Sequence, residues 1–473
     1  MLLRRLYYGK LAQASYLIGC QRTGEAIVVD PHRDADLYLD VAREEAVRIR
    51  YVTETHIHAD YLSGARQLAE RAGAQLLLSG EGDETWQYRF VEASRARLLH
   101  DGDEIRVGRV RVEVLHTPGH TPEHLSFLVT DGAASEHPLA LLTGDFVFVG
   151  DVGRPDLLER SAGLSDTMEA GARTLFRSLE RVRRLPVHLQ ILPGHGAGSA
   201  CGKALGAVPT STLGYELLVN WAFQIRTEDE FVRSVLEDQP EPPRYFAHMK
   251  RMNRDGPPLL AGPPRPRRMV ADSLRTVLES GSTLVDTRPA ESFADGHVPG
   301  AIGVPLGDDF PGMAGWVLPY DRPIYFVSGS EQEALDAARD LTFIGLDASE
   351  GYYDREALKR WADVEGPLQA TPAVDWAEAE RAVELEDGVL LDVRGESEWR
   401  EGHVAGARHI HFGSLLERAE ELPRDRPLML YCLGGRRSGI AASLLQAAGF
   451  DDVRTVRGGF AERLGLGLPS ATG

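Results

Sequence analysis

Residues 55–64, THIHADYLSG, place two histidines and an aspartate at every second position. The run RYVTET that leads into them predicts a strand, and in extended backbone residues two apart point to the same side. His56, His58 and Asp60 can therefore face one point, as metal ligands must, although a polar surface loop is the alternative. Tyr61 stands where a third histidine would extend the set, and a phenol is a far weaker ligand at neutral pH.

Three later strand-to-loop junctions supply further residues of the kind that bind metals. The segment VEVLHTPGHT follows a predicted strand and supplies His120, LALLTGD ends at Asp145, and LQILPGHG supplies His195. Clefts where several elements end are common places for a binding site. The sequence therefore predicts one metal site with ligands from four parts of the chain.

A second chemical group is the segment YCLGGRRSG around Cys432, which runs from a predicted strand directly into a helical pattern. A short loop there can turn successive backbone N–H groups inward, and the helix adds the positive end of its dipole. Arg436 and Arg437 add charge, so the thiolate is favoured and Cys432 is expected to act as a nucleophile together with Arg437. A buried, inert cysteine is the alternative. The other residues of this expected sulfur-anion loop are Leu433, Gly434, Gly435 and Ser438.

Cys201 lies in the glycine-rich stretch HGAGSACGK, shortly after His195. Such a loop can present a thiol to a substrate, and we hypothesise that Cys201 contacts or accepts the substrate sulfur. The alternative is a cysteine that serves as a small buried apolar residue.

Two kinds of domain must position these residues. In the N-terminal part, strand-like runs such as AIVVD and HLSFLV recur with helical stretches between some of them, which predicts an α/β region. Residues 256–267, GPPLLAGPPRPR, contain five prolines and two glycines and cannot form a helix or a central strand. They predict a semi-rigid linker.

The C-terminal part contains an internal repeat. Residues 284–301, LVDTRPAESFADGHVPGA, match residues 390–407, LLDVRGESEWREGHVAGA. Two copies of one domain follow, and their alternating strands and helices predict parallel sheets. We place the domains at residues 1–255, 268–367 and 372–473, with the linker at 256–267.

The first copy lacks the nucleophile of the second. Ser328 is aligned with Cys432, and Glu331 and Glu333 stand in its loop instead of arginines. Serine is a weak nucleophile without an adjacent base, and the acidic loop would repel a sulfur anion. We therefore expect residues 268–367 to be a catalytically silent copy.

Composition limits the classes of partner. The net charge of −19 disfavours nucleic acid and anionic membranes, and no apolar run is long enough to span a bilayer. The three cysteines are widely spaced and do not form a disulfide framework, which favours a cytoplasmic location.

The N-terminal motifs resemble those of the metallo-β-lactamase superfamily, in which HxHxDH appears here as His56-Ile57-His58-Ala59-Asp60-Tyr61. This resemblance implies an αββα sandwich over roughly residues 1–255. The superfamily's later ligands match His120, Asp145 and His195. Tyr61 replaces the imidazole that serves a second metal, so the resemblance implies one dominant metal.

Within this superfamily the chain resembles the persulfide dioxygenases, which use one iron. Carried over, the ligands are His56, His120 and Asp145, a set that suits Fe(II), although zinc or manganese in a purified sample is an alternative. His58, Asp60, His195 and Tyr61 would then orient ligands or form a weakened second metal site. Arg154 and Asp156 match a GRxD signature and are expected to form a structural ion pair.

The C-terminal copies resemble rhodanese domains through their DxR and GHVPGA or GHVAGA motifs. The whole chain resembles a bacterial persulfide dioxygenase–rhodanese fusion, an α/β multidomain fold with two parallel-sheet rhodanese domains. This implies oxidation of a low-molecular-weight thiol persulfide by O2 to thiol and sulfite, with sulfane-sulfur transfer that forms or consumes thiosulfate. A homo-oligomer, dimer or tetramer, is expected. A glyoxalase II-like zinc thioester hydrolase and a non-catalytic persulfide sensor or scaffold are the alternatives.

Overall fold

The computed structural model describes residues 1–157, 167–203, 205–385 and 387–471. The chain divides into two compact units, Met1–Pro263 with Phe343–Gly345, and Pro264–Thr342 with Leu346–Gly473. None of the helices within the described residues has the length and apolar character needed to cross a membrane.

The first unit contains two six-stranded sheets. One is built in chain order from β1 Leu2–Tyr8, β2 Gln13–Cys20, β3 Glu25–Val29, β4 Arg48–Thr53, β5 Gln75–Ser79 and β6 Arg97–Leu99. Its first three strands pair antiparallel, and β3 to β6 pair parallel. The other sheet has the order β12-β11-β10-β9-β8-β7, and its strands are β7 Glu104–Val107, β8 Val110–His116, β9 Leu125–Asp131, β10 Ala140–Gly144, β11 Gln190–Pro193 and β12 Ser211–Thr212. Only its β10–β11 pairing is parallel.

Successive side chains of a strand point to opposite faces of its sheet, so each sheet packs on the other sheet with one face and on helices with the other. The unit therefore has four layers. On β9, Leu125, Phe127 and Val129 join a core between the two sheets, whereas Leu128 joins a core between its own sheet and helices. The first sheet packs its outer face on helices in the same way. The helices of this unit are Gly9–Leu11, Ala35–Glu44, Ala65–Ala72, Val91–Ser94, Thr167–Val182, Leu213–Val219, Trp221–Gln224, Glu228–Leu236 and Tyr245–Asp255. The predicted αββα sandwich is confirmed.

The second unit contains two five-stranded sheets with the same strand order, and every pairing in them is parallel. The first has β13 Arg267–Arg268, β14 Thr283–Asp286, β15 Ile302–Gly303, β16 Ile324–Val327 and β17 Ser349–Tyr353. The second has β18 Ala373–Val374, β19 Val389–Asp392, β20 Arg408–His409, β21 Leu428–Tyr431 and β22 Val453–Val456. The sequence repeat is therefore a structural repeat, as predicted.

Helices flank both of these sheets. They are Ala271–Ser273, Leu274–Glu279, Ala290–Asp295, Phe310–Val317, Glu331–Thr342, Arg355–Val364, Trp376–Leu385, Glu396–Glu401, Phe412–Ser414, Ala419–Glu421, Arg436–Ala447 and Gly459–Gly465. The short segments Ala271–Ser273, Phe412–Ser414 and Ala419–Glu421 are 3-10 helices.

A buried ion pair organises each copy. Arg288 Nη2 lies 2.6 Å from Asp286 Oδ2 and donates to the carbonyl of Gly296 at 2.8 Å. In the second copy Arg394 makes the same contacts with Asp392 and Gly402, at 2.6 and 2.7 Å. The arginine thus ties the end of the second strand in each sheet's chain order to the following GH turn, and both of its contacts satisfy a buried charge.

Candidate metal centre and sulfur-transfer loop

Three side chains from three strand ends meet in the first unit. His56 follows β4, His120 follows β8, and Asp145 follows β10. The Nε2 atoms of His56 and His120 lie 3.9 and 3.7 Å from Asp145 Oδ2, and the three donor atoms all lie within 4.8 Å of one another. All three residues are buried. Two imidazole nitrogens and one carboxylate oxygen therefore converge on a single point.

The hydrogen bonding and protonation of these three side chains fit a bound cation. Asp145 Oδ2 is buried and has no hydrogen-bond partner among the described residues, which is costly without a ligand. His56 Nδ1 contacts Thr55 Oγ1 at 2.9 Å and His120 Nδ1 donates to the carbonyl of Arg154 at 3.1 Å, so both Nε2 atoms face the site. Burial lowers the pKa of both histidines, and metals bind the neutral imidazole.

His195 lies between two carboxylates beside this triad. Its Nδ1 is 2.7 Å from Asp145 Oδ1, and its Nε2 is 2.7 Å from Asp60 Oδ2. Burial alone would lower the pKa of His195, but the two carboxylates outweigh it and hold the pKa well above its ordinary value. His195 thereby orients Asp145 Oδ1, and with Asp60 and Cys201 it forms a second group of side chains that could hold a metal ion.

Tyr61 and His58 form a separate network. Tyr61 Oη lies 2.9 Å from His58 Nε2, which also lies 3.1 Å from Asp30 Oδ1. Burial, and then the nearby carboxylates, raise the pKa of Tyr61 well above its ordinary value, so the phenol is protonated. His58 is thus held at Asp30, at the end of β3. Asp30 also accepts from the backbone N–H of Thr55 at 2.6 Å, and sequence reasoning missed this residue.

Cys201 lies close to the triad. Its sulfur and ligand atoms of Asp60 and His195 lie within 4.8 Å of one another, and all three residues are buried. Burial and then the carboxylates of Asp60 and Asp145 raise the pKa of the Cys201 thiol well above its ordinary value. The expected proximity of Cys201 to the site is therefore present, but the sulfur is a thiol rather than a thiolate.

Arg154 connects the metal ligands with the Cys201 loop. Its guanidinium is fully buried and binds Asp156 through two hydrogen bonds of 2.8 and 2.6 Å. Its backbone N–H donates to the carbonyl of Cys201 at 3.2 Å, and its carbonyl accepts from His120. The structure thus contains the ion pair expected of the GRxD segment. The backbone carbonyl of the same arginine orients the ring of His120.

Cys432 follows β21 and begins the loop that leads into the helix Arg436–Ala447. The N–H of Gly435 donates to Cys432 Sγ at 3.1 Å. Gly435 has a φ of +99°, which most residues adopt only at a cost, so glycine suits this tight turn. Ser438 Oγ donates to the carbonyl of Gly435 at 3.0 Å, while Leu433 is half exposed at the loop tip. Gly434 lies between Leu433 and Gly435 in the same turn. Every residue of the predicted sulfur-anion loop is therefore at this turn or in the first turn of the helix that follows it.

Both arginines of the loop have acidic partners that sequence reasoning missed. Arg437 donates to both oxygens of Glu398, at 2.5 and 2.7 Å. Arg436 pairs with Asp309 and donates to the carbonyl of Pro305 at 3.3 Å. One signal was available for Glu398, because the aligned residue in the silent copy is Ser292. Arg437 also lies within hydrogen-bonding reach of Cys432, so it faces the sulfur as one half of an ion pair with Glu398, whereas Arg436 is paired with Asp309.

Comparison with known proteins agrees with this division of the chain. The family model of the metallo-beta-lactamase superfamily matches residues 8–195, and that of the rhodanese-like domain matches residues 270–358 and 375–463. A crystal structure of a metallo-beta-lactamase from Staphylococcus aureus is 43% identical, with a TM-score of 0.70, and the match covers 75% of this chain and 99% of that one.

Two named relatives each match less than half of the chain. The mitochondrial persulfide dioxygenase ETHE1 of Mus musculus is 31% identical over 202 residues, which is 41% of this chain and 68% of the relative. A probable metallo-hydrolase of Burkholderia pseudomallei is 30% identical over 246 residues, covering 46% of this chain and 79% of the relative. Similarity alone thus leaves both oxidative and hydrolytic chemistry open for the metal centre.

Proposed function

Because the chain belongs to the metallo-β-lactamase superfamily and carries two rhodanese-like domains after that domain, we propose that it oxidises a thiol persulfide and transfers sulfane sulfur. The substrate is a low-molecular-weight thiol persulfide, RSSH, and the oxidant is O2. The balanced reaction is RSSH with O2 and water, giving RSH, sulfite and two protons. The sulfane sulfur loses four electrons, and O2 gains the same four.

The observation that carries the proposal is the triad of His56, His120 and Asp145. Its buried carboxylate oxygen without a hydrogen-bond partner and its two neutral imidazoles suit one Fe(II) ion per chain, although zinc or manganese would also bind. Fe(II) bound by such a facial set supplies open coordination positions for O2 and a sulfur anion. The proposed reaction reduces O2, which favours iron over zinc because zinc has no redox chemistry, and the chain is similar to a protein named as a persulfide dioxygenase.

The surrounding residues prepare the site for this chemistry. His195 Nδ1 holds Asp145 Oδ1, which leaves Oδ2 directed at the two histidines. The ligands and His195 are all buried, so the electrostatic interactions that orient a sulfur anion are little screened by water. We propose that Cys201, as a thiol, contacts the substrate sulfur.

The second half of the proposal concerns Cys432. The Cys432 thiolate attacks the outer sulfur of RSSH, the S–S bond breaks, and RSH leaves after it takes up the proton. Sulfite then attacks the outer sulfur of the cysteine persulfide, which yields thiosulfate and restores the thiolate. Both steps conserve charge and run in reverse when thiosulfate is the donor. The N–H of Gly435 stabilises negative charge on the sulfur.

Two variants of the full chain test the two sites against each other. Asp145→Asn removes the anionic ligand and is expected to lower metal content and persulfide-dependent O2 uptake by at least about 100-fold. Cys432→Ser is expected to retain O2 uptake and lose sulfur transfer. An oxygen electrode and a sulfite assay measure the first activity with several small persulfides. Full O2 uptake by Asp145→Asn would contradict the proposal.

A hydrolase is the second candidate, because one relative is named as a probable metallo-hydrolase. The two-metal hydrolases of this superfamily have a histidine at the position of Tyr61, where this chain has a buried phenol that is a poor metal ligand, and this favours the dioxygenase. Thioester cleavage under argon by the zinc-loaded protein would favour the hydrolase. Stable persulfide at Cys432 without turnover would favour the sensor or scaffold alternative.

We also propose domain limits of 1–255, 268–367 and 372–473, with residues 256–267 as linker.

The substrates are small molecules, in keeping with the rhodanese-like and persulfide dioxygenase similarities. All three cysteines are free thiols, which supports a reducing, cytoplasmic environment. A homo-oligomer, dimer or tetramer, is expected in solution, and sedimentation velocity of the full chain would test this.

A further inference from the structure

The two arginines of the Cys432 loop form ion pairs with acidic residues that belong to different rhodanese-like copies. Glu398, which binds Arg437, belongs to the same rhodanese-like copy as the cysteine. Asp309, which pairs with Arg436, belongs to the silent copy, and so does Pro305, whose carbonyl accepts from the same guanidinium. Both copies lie in one compact unit. The silent copy therefore contributes a carboxylate directly to the surroundings of the catalytic loop.

Packing fixes the place of this carboxylate. Asp309 immediately precedes the helix Phe310–Val317, and Trp316 of that helix packs against the rings of His411 and Phe412, with centroid distances of 4.5 and 5.5 Å. Gly413 lies so close that an added Cβ would be 2.1 Å from the Trp316 ring. The packing of Trp316 thus holds the helix Phe310–Val317, and with it the preceding residue Asp309, against the second copy.

The pairing of Arg436 with Asp309 is nonetheless weak and reversible. The side chains are 41% and 42% exposed, so water partly screens the pair, although the contacting oxygen Asp309 Oδ1 is itself buried. Arg436 also lines a cavity of about 180 Å³ between the copies, together with Glu291, Phe293, Gly439 and Ile440. The guanidinium therefore has room to leave Asp309 for another anion.

We propose that Asp309 is a specificity-determining residue of the sulfur-transfer site. By competing for Arg436, its carboxylate weakens the binding of divalent sulfur oxyanions such as thiosulfate relative to singly charged organic persulfides. A dianion would gain most from a free guanidinium, since Coulomb attraction scales with the product of the charges. This inference rests on the proposed sulfur transfer at Cys432 and assigns the silent copy a part in it.

The test is Asp309→Asn in the full chain, with Asp308→Asn as matched control, because Asp308 carries the same charge one position away and is exposed. Asp309→Asn is expected to lower the KM for thiosulfate by about three- to fivefold, the range that an exposed ion pair allows. The KM for glutathione persulfide is expected to change by less than about twofold. Asp308→Asn is expected to change neither KM.

A double-variant comparison assigns the effect to the pair. In an Arg436→Met background, Asp309→Asn should no longer change the KM for thiosulfate. A persistent effect there, or equal effects of the two asparagine variants, would overturn the proposal.

A second readout needs no turnover. Sulfate should protect Cys432 from alkylation by iodoacetamide at lower concentration in Asp309→Asn than in the wild type. No shift in either the thiosulfate KM or the sulfate protection would also overturn the proposal. A wild-type protein without any sulfur transfer would instead contradict the proposed function, while the alkylation result would still report on Asp309.

Discussion

The loops that follow β16 and β21 occupy the same place in the two rhodanese-like copies but carry different chemistry. In the first copy Ser328 Oγ lies 2.8 Å from Thr287 Oγ1, and the N–H of Gly329 donates to Glu333 Oε2 at 2.9 Å. In the second copy Cys432 Sγ accepts from the N–H of Gly435 at 3.1 Å. In the silent copy a carboxylate therefore holds the amide directly after the serine, whereas in the active copy the sulfur accepts from the amide three residues after the cysteine.

The difference shows that several changes separate the two copies. The silent loop lacks the thiol, and one of its amides donates to a tethered carboxylate that has a high local concentration. In the active loop the nearby acids bind arginines instead, through Glu398 and Asp309. The Asp–Arg pairs that organise the two sheets have equal lengths of 2.6 Å, so the scaffold is shared while the loop decides the chemistry.

The largest expected effect is that of Cys432→Ser. Without the thiolate the sulfur has no acceptor, so the rate of sulfur transfer should fall by at least about 10³-fold. Transfer from thiosulfate to cyanide measures this rate, and O2 uptake with a persulfide is the control that should stay unchanged. Retained transfer would mean that Cys201 or Cys20 carries sulfur and that the two loops do not differ as argued.

Moving the cysteine to the silent loop sharpens the comparison. In a Cys432→Ser background, Ser328→Cys is expected to restore less than about 1% of the rate, because Glu333 still occupies the amide of Gly329. Adding Glu333→Gln should raise that small rate by about tenfold, since a neutral amide competes less with a sulfur anion. Persulfide on residue 328, detected by intact mass, measures loading. Full recovery by Ser328→Cys alone would show that the thiol is the only relevant difference.

A smaller effect is expected for Glu398→Gln. Glu398 fixes Arg437 through two hydrogen bonds, and in the silent copy the aligned residue is Ser292. Loss of this bidentate pair should lower the sulfur-transfer rate by about tenfold, because Arg437 is no longer held beside Cys432. Glu396→Gln is the control, since Glu396 lies on the same short helix but pairs with exposed Arg400. Equal rates in the two variants would assign Glu398 no positioning role.

The sequence predicts the shared scaffold better than it predicts these partnerships. The Asp–Arg motifs, the strand runs and the Cys432 loop are local patterns, and the structure contains each of them where the repeat indicates. Asp309 and Glu398 were not predictable as partners, because 127 and 39 residues separate them from their arginines and only tertiary packing brings them together. Local motifs thus indicate which chemistry a loop can carry out, whereas ion pairs with residues distant in sequence set the charge around it.

The metal centre shows the same division. His56, His120 and Asp145 follow strands, so the sequence pattern predicts that they share one site, whereas the choice of these three as ligands comes from the family resemblance. Asp30 was missed because a single aspartate at a strand end resembles an ordinary turn residue. The two contacts of His195 were not predictable either, since its carboxylate partners Asp60 and Asp145 approach from distant parts of the chain. The partners of each side chain are thus a property of the folded site.

The last expected effect is a pH dependence of stability, rather than of activity, carried by His411, where the silent copy has Pro305. Burial, and then the charge of Arg437, lower the pKa of His411 from 6.5 to about 4. Below pH 6.5 the unfolded chain binds a proton that the folded chain does not, so stability present above this pH is lost as the pH falls towards 4. The loss between pH 7.5 and 5 should be about 1–2 kcal/mol in the free energy of unfolding. Urea unfolding followed by fluorescence, compared between wild type and His411→Gln, measures it, and equal pH slopes in both would contradict the assignment.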